Sequence, residues 1–138
     1  LFWLINFHLL LLHDRAREMK LSTIEGYFIT NPLGKKLQQL ILIDSLATIP
    51  RSGRPVLSHL TTLRKILGNI KQHGTKPPQP LLSGDEVMSA LKIPSGPDVG
   101  FVLRRLREEQ LHRVVRTKQQ AISFIKKEYA DVQDRRTT

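Results

Sequence analysis

The stretch Gly74-Thr75-Lys76-Pro77-Pro78-Gln79-Pro80 constrains this chain more than any other, because three prolines within four positions remove backbone donors and hold the chain extended. No helix passes through it. On both sides apolar residues recur at helical spacing, and no run of β-branched residues alternates with polar ones as a strand requires. The predicted fold is therefore all-α, with two small helical subdomains joined by a Pro-rich linker, as a fragment of a larger multidomain protein. The expected divisions are residues 1–73, a linker over 74–83, a helical tail over 84–130 and a frayed end over 131–138.

In the first half a helix is expected from Leu1 to about Met19. Residues 1–12 are apolar apart from Asn6 and His8. A membrane span needs ~20 apolar residues and a signal peptide needs a basic leader, so neither pattern is met. With no initiator Met, the expectation is a helix once buried against a preceding segment. Ser22 and Glu25 have capping-box spacing for a short second helix, and Asn31-Pro32 should end it and start a third that runs to about Thr48. The break from Pro50 to Pro55 precedes a fourth helix over about 56–72, with a stripe of Leu57, Leu60, Leu63, Ile66, Leu67 and Ile70. Asp44 shares a face with Leu37, Leu40 and Ile41, so a partly buried carboxylate is expected there, with His8 as the candidate partner. A metal or catalytic role for Asp44 is the alternative.

Lys and Arg total 22 against 12 Asp and Glu, a net charge of +10. The excess is spread along the chain: residues 1–73 hold 10 basic and 4 acidic side chains, and residues 74–138 hold 12 and 8. Such a balance suits a polyanionic partner. One Trp, two Tyr and five Phe are too few for a base-stacking platform, so nucleic acid would be held mainly by charge. The absence of Cys excludes disulfides, Cys-type zinc sites and thiol nucleophiles. Histidines 8, 13, 59, 73 and 112 show no metal-ligand spacing, no Ser lies in a nucleophile elbow, and no Asp-x-Asp pair exists for two-metal chemistry. No catalytic residue and no metal ligand is predicted.

The second half reads as a short helix near Asp85 to Leu91, a turn at Pro94-Ser95-Gly96-Pro97, a helix from Pro97 to about His112, and a last helix from about Thr117 to Tyr129. Gly96 and Pro97 set up a helix N-terminus whose free amides suit a phosphate. On the helix that follows, Val99, Val102, Leu103 and Leu106 form the inward stripe, which leaves Arg104 and Arg105 flanking Phe101 on the other side. A packing corner with a solvated basic face satisfies the same turn chemistry, with Asp98 occupying the anion site itself. The candidate nucleic-acid contacts are Lys92, Ser95, Gly96, Gly100, Phe101, Arg104, Arg105, Arg113, Arg116 and Lys118.

The segment Leu81-Leu82-Ser83-Gly84-Asp85-Glu86-Val87-Met88, followed by Ile93-Pro94-Ser95-Gly96-Pro97-Asp98-Val99-Gly100, resembles the C-terminal region of bacterial-type tRNA nucleotidyltransferases and poly(A) polymerases. That family shows a Gly-Ile-Pro-x-Gly-Pro-x-x-Gly turn, then a long helix ending near Gln-Leu and a Thr-Arg-x-x-Ala segment. Gln110-Leu111 and Thr117-Lys118-Gln119-Gln120-Ala121 are similar to the latter two. Met19-Lys20-Leu21-Ser22-Thr23-Ile24 and Ile43-Asp44-Ser45-Leu46-Ala47 resemble segments of the family's HD-related helical body. Lys92 stands where the family has Gly.

The resemblance implies that residues 1–73 form an HD-related body and 84–130 an RNA-binding tail. The parent would be a template-independent enzyme of tRNA CCA addition or RNA polyadenylation. It implies an N-terminal catalytic head in the same polypeptide, using Mg and ATP or CTP, with this fragment inactive alone. A tRNA acceptor or other RNA 3' end is the expected partner, in the cytoplasm or an organelle and away from membranes. The alternative is a helix-hairpin-helix-like module or scaffold acting on DNA, with a phosphohydrolase remnant as a third reading.

Overall fold

The computed structural model describes residues 2–51, 53–71 and 77–137. Among these every regular element is helical, in line with the all-α reading. The chain divides into two compact units, Leu1–Pro77 and Pro78–Thr138. The linker core at 72–76 lies outside the described residues. None of the described helices is long and apolar enough to cross a membrane.

The first unit opens with α1 (Phe2–Phe7), followed by a 3-10 turn (Leu12–Arg17), in place of the single helix expected over 1–19. The break has a local cause. The His8 ring hydrogen-bonds through Nδ1 to the Ile5 carbonyl, and Leu10 N–H bonds the Phe7 carbonyl at 3.0 Å, so carbonyls that would continue an α-helix are diverted into a tight turn. Phe2, Ile5 and Leu9 remain exposed, while Trp3 and Phe7 stack around Tyr27 with ring centroids 5.8 and 4.8 Å from it.

α2 (Leu21–Glu25) runs on into a π turn (Gly26–Thr30). The capping box expected at Ser22 and Glu25 does not start this helix. Lys20 is the cap residue, in extended conformation, which puts Ser22 inside the first turn and Glu25 in the interior. Asn31 acts as expected for a stop signal: its Oδ1 accepts from Leu33 N–H at 2.8 Å, and its carbonyl accepts from Gly34 N–H at 2.9 Å. α3 (Gly34–Ala47) follows, and α4 (Ser58–Lys71) packs against the 3-10 turn and α2. Leu11, Ile24, Leu37, Leu63 and Ile70 are completely or almost completely buried and form the core of this unit. Asp44 is half-buried beside Ile41, as its face predicts, yet it does not meet His8. That imidazole instead bonds the Ile5 carbonyl through Nδ1 at the end of α1.

The second unit consists of α5 (Gly84–Leu91), α6 (Pro97–Leu111) and α7 (Lys118–Thr137), each packed on the other two. Val87, Val102, Ala121 and Ile125 are fully buried at its centre, and Val99 and Leu106 extend the stripe read from sequence. The frayed end expected after 130 is instead helical to Thr137. No Gly or Pro interrupts residues 118–137, and Tyr129 packs on the core, so propagation of an established helix continues outward.

Candidate nucleic-acid interface

Two helix ends and one helix start position the basic residues of the second unit. α5 begins with a full capping box: Ser83 Oγ accepts from Glu86 N–H at 3.3 Å, and Glu86 Oε2 accepts from Ser83 N–H at 2.8 Å. It ends at Lys92, whose φ of 55° is left-handed, with Ile93 N–H bonded to the Met88 carbonyl at 3.2 Å. α6 ends the same way. Arg113 has φ 61°, its N–H bonds the Gln110 carbonyl at 3.0 Å and Val114 N–H bonds the Glu109 carbonyl at 2.9 Å, which is the paired arrangement of a Schellman end. Lys92 and Arg113 thus occupy positions where glycine is the usual residue, and both side chains are exposed.

The start of α6 is Gly96, in extended backbone, followed by Pro97. A Cβ at Gly96 would meet nothing within 4 Å, and one at Gly100 would meet only the Arg104 guanidinium at 3.7 Å. Packing within the unit therefore requires neither glycine. Pro97 has no donor and Val99 N–H already bonds the Gly96 carbonyl at 3.2 Å, which narrows the amide cradle expected here. Ser95 is exposed, and Asp98 is half-buried in the first turn.

The arginines differ sharply. Arg104 is exposed, whereas Arg105 Nε donates to Glu128 Oε1 at 2.8 Å and ties α6 to α7. The hydrogen bond to Glu128, and then its charge, hold the Arg105 guanidinium above its ordinary range. Phe101, 37% exposed, stands one turn before Arg104 and Arg105. Lys118 pairs with Glu86, and Arg116 Nε donates to the Arg113 carbonyl at 2.8 Å. The Lys118 hydrogen bond, with the Ser83 N–H second, holds the Glu86 carboxyl below its ordinary range.

The ten candidates do not form one patch. Lys92, Ser95, Gly96, Gly100, Phe101 and Arg104 gather near the N-terminal end of α6, whereas Arg113, Arg116 and Lys118 follow its C-terminal end, ~22 Å along the axis. Arg105 and Lys118 are committed to ion pairs.

Two residues that the sequence reading passed over position this unit. Arg107 donates to the Pro78 carbonyl at 2.8 Å and to Gln110 Oε1 at 3.0 Å, and the buried Gln110 amide donates to the Gln79 carbonyl. An extended proline segment satisfies none of its own carbonyls, so these side chains supply the missing donors and fasten it to α6. A polar pair at i, i+3 downstream of a proline run is the signal that could have revealed them. Among the described residues, no three His, Cys, Asp or Glu side chains gather as metal ligands.

The chain is 47% identical over 114 residues to the CC-adding tRNA nucleotidyltransferase of Thermus thermophilus, a match covering 81% of the chain and 24% of that relative. It is 37% identical over 93 residues to the A-adding tRNA nucleotidyltransferase of Deinococcus radiodurans, covering 66% of the chain and 21% of the relative. The chain thus spans less than a quarter of the length of these curated relatives. No family model matches it, and no solved structure matches it. Over the stretch that matches, the chain is a homologue of part of two curated bacterial tRNA nucleotidyltransferases.

Proposed function

We propose that the second unit holds the RNA backbone in a protein that adds nucleotides to tRNA 3' ends in the cytoplasm. The relatives' activities support the substrate class. The observation that carries the residue-level reading is the exposed Arg104 beside the α6 start, with Lys92 exposed at the neighbouring α5 end. In this reading Arg104 and Lys92 attract phosphates as point charges, the positive end of the α6 dipole adds to them, and Phe101 lies against a base or sugar. Arg113 supplies a further charge at the other end of the helix. Arg105 and Lys118 act as positioning residues that fix α7 and α5 beneath this surface.

Nucleotide transfer itself, with Mg and ATP or CTP, is assigned to the part of the relatives' length outside the match. Fluorescence anisotropy of the 138-residue chain with labelled tRNA and with a DNA duplex of similar length tests the reading. Tighter binding to tRNA at equal salt is expected. Equal or tighter binding to the duplex would favour the DNA-binding alternative.

A further inference from the structure

α3 and α4 of the first unit are linked by Ser45 Oγ, 2.9 Å from His59 Nε2. Beside this link lies a groove of about 610 Å3. Its floor is Leu42, Leu57, Leu60 and Leu67, and its edge carries Gln38, Arg64 and Lys71. Leu57, Leu60, Arg64, Leu67 and Lys71 recur every three or four residues, so the groove follows one face of α4 for ~21 Å. Leu42 is 40% exposed and Leu57 37% exposed, which leaves apolar surface open along it.

A second observation points to close approach by an occupant. Gly68 lines the groove in the last turn of α4, where glycine weakens a helix relative to alanine. A Cβ there would meet nothing within 4 Å, so packing inside the unit does not call for it. A glycine in that place lets another backbone or bulky side chain approach α4. Charge narrows the class of occupant. α3 and α4 together carry Lys35, Lys36, Arg64, Lys65 and Lys71 against Asp44 alone, and among the described residues neither Arg64 nor Lys71 is ion-paired. A leucine floor offers nothing to phosphate and ribose, and a basic edge repels a second copy of this basic chain.

We propose that this groove docks an acidic amphipathic helix of a partner protein, with apolar side chains on the leucine floor and carboxylates meeting Arg64 and Lys71. The test uses the whole chain and a fluorescein-labelled peptide of about 18 residues, long enough to be helical and to span the groove. The peptide carries Leu at i, i+3, i+4 and i+7 and Glu elsewhere, and a twin carries Lys for every Glu. The Glu peptide should bind at least about tenfold tighter than its twin. Gly68→Leu should lower that affinity about tenfold or more while the chain melts no lower than the parent, since it removes a helix-weakening glycine, and joint Arg64→Glu and Lys71→Glu should shift the preference to the Lys twin. Three results would overturn the proposal: no anisotropy change with the Glu peptide at about 100-fold the concentration expected for micromolar binding, binding insensitive to both sets of variants, or an RNA oligonucleotide or self-association that Gly68→Leu abolishes in place of peptide binding.

Discussion

Arg105 and Glu128 are joined at 2.8 Å across α6 and α7, while Arg104, the neighbouring residue on α6, is exposed. Two adjacent arginines therefore serve different ends. Arg105→Ala should destabilise the second unit by about 1 kcal/mol, because it leaves the mostly buried Glu128 carboxylate unpaired while the Arg105 side is partly screened by water. Arg104→Ala should change stability by less than about 0.5 kcal/mol. Urea unfolding of both variants measures the difference, and equal losses would contradict it.

Glu86 is held below the ordinary glutamate range, first by the Lys118 hydrogen bond and then by the Ser83 N–H. A carboxylate with a depressed value in the folded state contributes stability that is present above its unfolded value and lost as pH falls through the lower folded value. Melting of the chain should therefore drop in acid below the usual glutamate range. Glu86→Gln should lower the melting temperature at neutral pH and flatten that acid decline. A Glu86→Gln profile parallel to the parent's would refute the assignment.

Lys92 and Arg113 hold left-handed backbone at two helix ends. Replacing either with Gly removes the Cβ conflict at the cost of greater unfolded-state freedom, for a net gain of about 1 kcal/mol at such a position. The same changes delete cations from the proposed RNA surface. Lys92→Gly should therefore raise stability and weaken tRNA binding together, an outcome that general misfolding cannot produce. Thermal melts and anisotropy on one preparation decide it.

Gly34 is buried at the start of α3, where a Cβ would lie 2.7 Å from the Phe28 carbonyl oxygen and 2.8 Å from that of Tyr27. The contacts are to backbone, so neither can swing aside. Gly34→Ala should cost about 1–3 kcal/mol, in the range of overpacking. By contrast Gly26→Ala, with open space at its Cβ, should be tolerated without that penalty.

Helical periodicity and punctuation were enough to read α3, α4, α5 and α6 to within a residue or two, because Asn31, Pro97 and the stripes Leu63/Leu67/Ile70 and Val99/Val102/Leu106 act locally. What escaped depends on which groups meet in space. The His8 bond that ends α1 and the proximity of Gly34 to Phe28 leave no periodic trace, and neither does the Arg107–Gln110 hold on Pro78 and Gln79. In the candidate interface, residue type and spacing identified Arg104 and Arg105 together as exposed cations. The sequence carried no sign that Glu128, 23 residues away, would engage one of them.

The central claim is that Arg104 meets phosphate, and a salt titration of tRNA binding followed by fluorescence anisotropy tests it most directly. Arg104→Ala should weaken binding similarly across RNA sequences and make the slope of log affinity against log salt shallower by roughly 0.7 to 0.9, the release of one phosphate's counterions. Arg105→Ala, compared under conditions where it stays folded, should leave that slope close to the parent's. An Arg104→Ala chain with the parent's affinity and the parent's slope would show that this face of α6 is only solvated.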